Sequence, residues 1–98
     1  MSLGVSFHQD AQAEFDEAVD FYAMERASLG VGFVEAVERA VARAQRRPES
    51  AAVLRGRARK MRVERFPYSV MYSVVGDLIR VLAVAHDRRR PYYWSGRR

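Results

Sequence analysis

The chain has 98 residues, 49% hydrophobic and 30% charged, which suits one compact domain over residues 1–98 and excludes both a disordered polymer and a membrane span of ~18–20 apolar residues. It has no cysteine, which removes disulfide frameworks and thiolate metal sites, and its N-terminus lacks the charged-then-apolar pattern of a secretory signal, so a cytoplasmic protein is expected. The net charge of +5 is split unevenly: residues 1–49 carry nine acids and five bases, whereas residues 50–98 carry three acids and twelve bases, so a polyanionic partner (nucleic acid, an acidic protein segment, or both) is expected to face the second half.

In chain order, Val5-Ser6-Phe7-His8 alternates apolar and polar residues and predicts a short strand. Asp10 is placed to cap a helix whose apolar positions are Phe15, Ala18, Val19 and Tyr22, with Glu14, Asp16, Glu17 and Asp20 mostly on its other faces. Gly30 and Gly32 interrupt the pattern, and a turn is expected over 28–30. Phe33, Val37, Ala40, Val41 and Ala44 form the stripe of a second helix that Arg43, Arg46 and Arg47 suit at its C-terminal end and Pro48 stops. Residues 49–58 read as a loop. Three strands follow, over 60–66, 68–75 and 78–86, with Phe66-Pro67 bending the chain and Gly76-Asp77 supplying a hairpin turn. The expected fold is α+β, β-α-α-β-β-β, a helical hairpin packed on a small antiparallel sheet, with a basic and aromatic tail over 87–98.

Three stretches carry candidate chemistry. In Arg55-Gly56-Arg57-Ala58-Arg59-Lys60-Met61-Arg62, strand alternation puts Lys60 and Arg62 on one face and Met61 and Val63 on the other. Paired cations on a rigid strand can hold a phosphate; the competing reading is a solvated strand face. In His86-Asp87-Arg88-Arg89-Arg90, an imidazole with a reference pKa of about 6.5 lies beside three guanidiniums, suited to proton transfer, or else it merely caps the sheet. In Pro91-Tyr92-Tyr93-Trp94 followed by Arg97-Arg98, the aromatics can stack on unpaired bases or fold back over the sheet. There is no glycine-rich phosphate loop, no Gly-x-Ser-x-Gly elbow and no zinc helix, and two distant histidines without cysteine argue against a metal; no cofactor is expected.

Over residues 4–98 the chain resembles the RelE/ParE toxin superfamily, often labelled plasmid-stabilisation proteins. The resemblance rests on Arg59-Lys60-Met61-Arg62-Val63, on Phe66-Pro67-Tyr68-Ser69-Val70-Met71-Tyr72, and on Val84-Ala85-His86 leading to Pro91-Tyr92-Tyr93-Trp94. It implies the toxin of a type II toxin–antitoxin pair, with a cognate acidic antitoxin as partner. The RelE branch comprises metal-independent ribonucleases that cut mRNA at the ribosome. By that resemblance Lys60 and Arg62 match the paired strand lysines and Tyr93 the C-terminal tyrosine, with His86 and Arg89 completing a variant site. Two of that branch's catalytic arginines are replaced, by Ser69 and Asp87. The ParE branch binds DNA gyrase and lacks the ribonuclease residues, and the missing arginines favour it. Arg55, Arg57, Arg59, Arg88, Arg90, Trp94 and Arg97 are then the candidate contacts to antitoxin or nucleic acid. A third possibility implied by the resemblance is a relic that binds only its antitoxin.

Overall fold

The computed structural model of the protein describes residues 3–98; Met1 and Ser2, the start of the domain expected over 1–98, lie outside it. Strand β1 (Gly4–Phe7) leads into helices α1 (Gln9–Glu25) and α2 (Ala27–Arg46), followed by β2 (Ala52–Arg55), β3 (Ala58–Arg62), β4 (Tyr68–Val75) and β5 (Leu78–His86). The sheet order is β1-β5-β4-β3-β2, antiparallel throughout except where β1 lies parallel to β5. The architecture is therefore the expected helical hairpin on a sheet, but the sheet is mixed and has five strands.

The apolar positions of α2 repeat at three and four residues, so Phe33, Ala36, Val37, Ala40, Val41 and Ala44 form one buried stripe. It packs, with Ala11 and Ala18 of α1, on Val63, Val70, Tyr72, Ile79, Val81 and Val84 of the sheet side. Phe33 is the hub, with ring centroids of Tyr68, Phe66 and Tyr22 at 4.9, 5.1 and 5.2 Å. Such offset and edge contacts add to the area buried. The last turn of α2 is tied to the sheet by Arg43, which donates to the Arg62 carbonyl at 2.7 Å and to Glu64 at 3.1 Å.

Four local expectations are corrected. His8, not Asp10, caps α1: its Nδ1 accepts from the Asp10 amide at 3.0 Å, the service an Asp oxygen ordinarily gives. The helices part at Arg26, whose extended φ of −166° ends α1, and Gly30 and Gly32 lie inside α2. Gly30 is there for proximity, since a Cβ on it would sit 2.9 Å from the Ala23 Cβ of α1. The expected loop 49–58 contains β2, which turns into β3 through Gly56 at φ 57°. A glycine first in a two-residue turn suits strand twist, and Gly76 at φ 60° does the same between β4 and β5. Finally, the strand expected over 60–66 runs from Ala58 to Arg62 and gives way to a turn containing Arg65 at φ 74°.

The two helix glycines should respond oppositely. Gly32→Ala meets nothing nearer than the Phe66 ring tip at 3.9 Å and should stabilise by about 1 kcal/mol through helix propensity. Gly30→Ala should destabilise by about 1 kcal/mol, because overpacking against Ala23 costs about 1–3 kcal/mol and exceeds that gain. Urea unfolding of the two variants checks the signs; equal stabilisation would mean the helices are not in close contact at Gly30.

Candidate functional site

The sheet face opposite the helices is where the candidate residues gather. Strand alternation sends Ala58, Lys60 and Arg62 to this side, and Met71, Leu82, Ala83 and Ala85 join them from β4 and β5. A register shift beside Met71 turns both Leu82 and Ala83 toward the same side. The three alanines leave a trough, and the tail lays Trp94 into it, 3% exposed. Tyr92 makes the bend that permits this, at φ 60°, a region L residues seldom adopt. Its half-exposed ring lies under Arg55, 4.6 Å from the guanidinium carbon to the centroid.

Glu14 of α1 holds the tail down. One carboxylate oxygen accepts from the Val84 amide at 3.1 Å and from Arg97 at 2.9 Å; the other accepts from the Tyr93 hydroxyl at 2.8 Å and from Arg97 at 3.1 Å. Arg97 also donates to the Leu82 carbonyl at 3.0 Å. Side-chain exposures of 14% for Glu14 and 17% for Arg97 make this a largely desolvated, forked ion pair. The Tyr93 ring is covered by Arg89 at 3.9 Å. Burial, and then the hydrogen bond to Glu14, raise the Tyr93 pKa well above the ordinary phenol value, despite the opposing pull of Arg89 and Arg97.

The other candidates are placed as follows. His86 Nδ1 accepts from the Arg88 amide at 3.0 Å, which puts the ring proton on Nε2. Asp87 accepts from the buried Ser69 hydroxyl at 3.1 Å and faces Arg62 at 3.8 Å. Lys60 opens into a cavity of about 170 Å³ beneath the tail, shared with His86, Asp87, Arg89, Arg90 and Tyr92. Arg57 lies at the β2–β3 turn, and Arg88 and Arg90 are exposed after β5.

Three expected contact residues are placed otherwise. Arg59 donates to the Glu49 and Ala51 carbonyls at 3.1 and 2.8 Å and so anchors the segment before β2. Trp94 is buried in the trough and Arg97 is paired with Glu14, so neither is free to meet a base or a peptide while the tail is seated. Glu14 was not among the expected site residues. Its signal was present nonetheless: it lies three residues after buried Ala11 and four before buried Ala18, on the inward stripe of α1. Among the described residues, no three His, Cys, Asp or Glu side chains converge as a metal cluster, and no helix is long and apolar enough to cross a membrane.

Residues 5–91 match the family model described as ParE toxin of type II toxin-antitoxin system, parDE. That match ends before the tail residues Tyr93, Trp94 and Arg97. No curated protein matches the chain. Among solved structures, a chain described as the chromosomal ParDE TA system from P. aeruginosa is similar at 20% identity with a TM-score of 0.73, over 87% of this chain and 96% of that one. At that identity the likeness is one of fold.

Glu14→Ala should cost about 3 kcal/mol, since removing one partner leaves Arg97 desolvated and the Val84 amide without its acceptor. Denaturant unfolding measures it, and a loss under about 1 kcal/mol, the surface-pair range, would mean the tail is not held this way. The tyrosines give a second check. Tyr22, Tyr68, Tyr72 and Tyr93 all have raised pKa values, with burial the first cause. A phenol raised in the folded state stabilises fully below its unfolded value of about 10, and that stabilisation is lost as pH rises beyond it. Absorbance at 295 nm should therefore stop short of the five-tyrosine amplitude until alkali unfolds the chain. Half of the five-tyrosine amplitude near pH 10 with the fold intact, as five ordinary phenols would give, would contradict these placements.

Proposed function

This chain belongs to the ParE toxin family of the parDE type II toxin–antitoxin system, and from that premise we propose that it arrests growth by binding DNA gyrase and is neutralised by a cognate acidic antitoxin. The observation that carries the choice of binding over RNA cleavage is the Tyr93–Glu14 hydrogen bond. A ribonuclease of the RelE type needs an activating tyrosine whose phenol loses its proton readily. Here the phenol donates to a largely desolvated carboxylate and its pKa is moved the opposite way.

The neighbouring groups support the same reading. His86 spends its Nδ1 lone pair on a backbone amide. Asp87 stands where the RelE resemblance calls for a cation, and it engages Arg62. A phosphodiester brought to this face would meet a carboxylate where transition-state charge has to be stabilised, and losing one such donor typically costs about 10²–10³-fold in rate. The basic second half of the chain, by contrast, suits an acidic peptide that covers it.

A supercoiling assay with purified chain and gyrase tests the target. Inhibition is expected to persist in Tyr93→Phe, which should lose about 2 kcal/mol of stability with its hydrogen bond to a carboxylate. Gyrase left untouched, with mRNA cut at fixed codon positions and the cuts abolished by Tyr93→Phe, would replace this reading with ribonuclease action. Normal growth at high expression would leave only antitoxin binding.

A further inference from the structure

Four of the cations around the sheet's outer face have a partner within the chain. Arg97 is paired with Glu14, Arg62 faces Asp87, and Arg55 and Arg89 lie over tyrosine rings. Lys60 differs. It is half-buried, and among the described residues it enters no ion pair and no side-chain hydrogen bond. A partly desolvated ammonium without an anion works against folding, because the energy of removing it from water is not returned by a contact. Such local conflicts concentrate where a ligand completes the arrangement.

We propose that the cavity over Lys60 receives one carboxylate side chain, flanked by an apolar residue, from a peptide partner; this rests on reading the chain as a toxin neutralised by an acidic antitoxin. Size selects a side chain over a whole small molecule. The cavity of about 170 Å³ falls below the roughly 300–1,000 Å³ of pockets that enclose a complete ligand. Its walls select the rest of the occupant. Leu54 and Met71 offer apolar contact to an alkyl stem, and Arg89 and Arg90 keep the rim positive. Asp87 also borders the cavity, but its carboxylate is engaged by Ser69 and Arg62. An N⁺–H···O⁻ bond closed under this cover is about twice as strong as a neutral one.

The test is a selection of peptides about a dozen residues long, displayed at random, against the purified chain, read out by emission of Trp94, the chain's single tryptophan. Enriched peptides should share one Asp or Glu beside an aliphatic or aromatic residue. Changing that acid to its amide, or Lys60→Met in the protein, should each weaken binding about tenfold or more, and the pair together should add little further loss. Lys60→Met should unfold at the same temperature as the parent or higher, because no internal partner is lost, so weaker binding cannot be ascribed to misfolding. The proposal is overturned by enriched peptides without a shared acid, by full affinity of Lys60→Met, or by no enrichment. It is equally overturned if inorganic phosphate or a nucleoside monophosphate fills the cavity at concentrations where the peptides do not. Gyrase plays no part in this measurement, so failure here and failure to inhibit gyrase are told apart.

Discussion

The Glu14 carboxylate joins three parts of the molecule, helix α1, the outer edge of β5 and the tail. β1 pairs with β5 only from Leu78 to Val81, so the outer edge of β5 beyond that would present bare backbone groups. Glu14 reaches from α1 to accept the Val84 amide, and with its remaining capacity it takes Arg97 and Tyr93 from the tail. Arg97 in turn satisfies the Leu82 carbonyl on the same edge. One side chain thus finishes a strand edge, docks a helix and seats the tail. A buried ion pair of this kind contributes less to net stability than its contacts suggest, because desolvation offsets much of the attraction. What it specifies is geometry: Trp94 reaches the trough only if the residues on either side of it are held.

The layered architecture was legible because periodicity reports burial directly. The stripe of α2 from Phe33 to Ala44 and the β-branched runs of β4 and β5 each read as one face turned to a core, and the structure puts them there. The parallel pairing of β1 was not legible, since the alternation in Val5-Ser6-Phe7-His8 says that a strand forms but not which neighbour it joins. β2 escaped notice for a different reason. It is four residues long, lies at the sheet edge, and is joined to β3 by an exposed glycine turn flanked by arginines, so composition spoke for a loop while backbone pairing made a strand. Sequence also placed Lys60 and Arg62 on the face opposite Met61 and Val63, which is how they lie. It could not tell that Tyr93, Trp94 and Arg97 would spend their chemistry on the fold, because Glu14, which holds Tyr93 and Arg97, lies at the far end of the chain, and the alanines under Trp94 come together only once the strands pair.

The tail therefore serves the sheet's second face as the helices serve its first. Trp94 and Tyr93 cover small side chains on one side much as Phe33 and Val37 cover β-branched ones on the other. The difference lies in charge. The helical hairpin brings most of the chain's acids, whereas the sheet and tail bring most of its bases, and the two meet at Glu14 and Arg97. A protein divided in this way presents different electrostatic surfaces to different partners.

The alanine trough also ties distant positions into one unit of sequence change. Ala58, Ala83 and Ala85 are small because an indole fills the space above them, and the indole is tolerated there because they are small. Enlarging any of the three would push Trp94 outward, while losing Trp94 would leave a hollow that only larger side chains at those same positions could close. Substitutions in the strands and in the tail should therefore travel together among related chains, so that the residue at the tail position becomes readable from the volumes on the sheet beneath it.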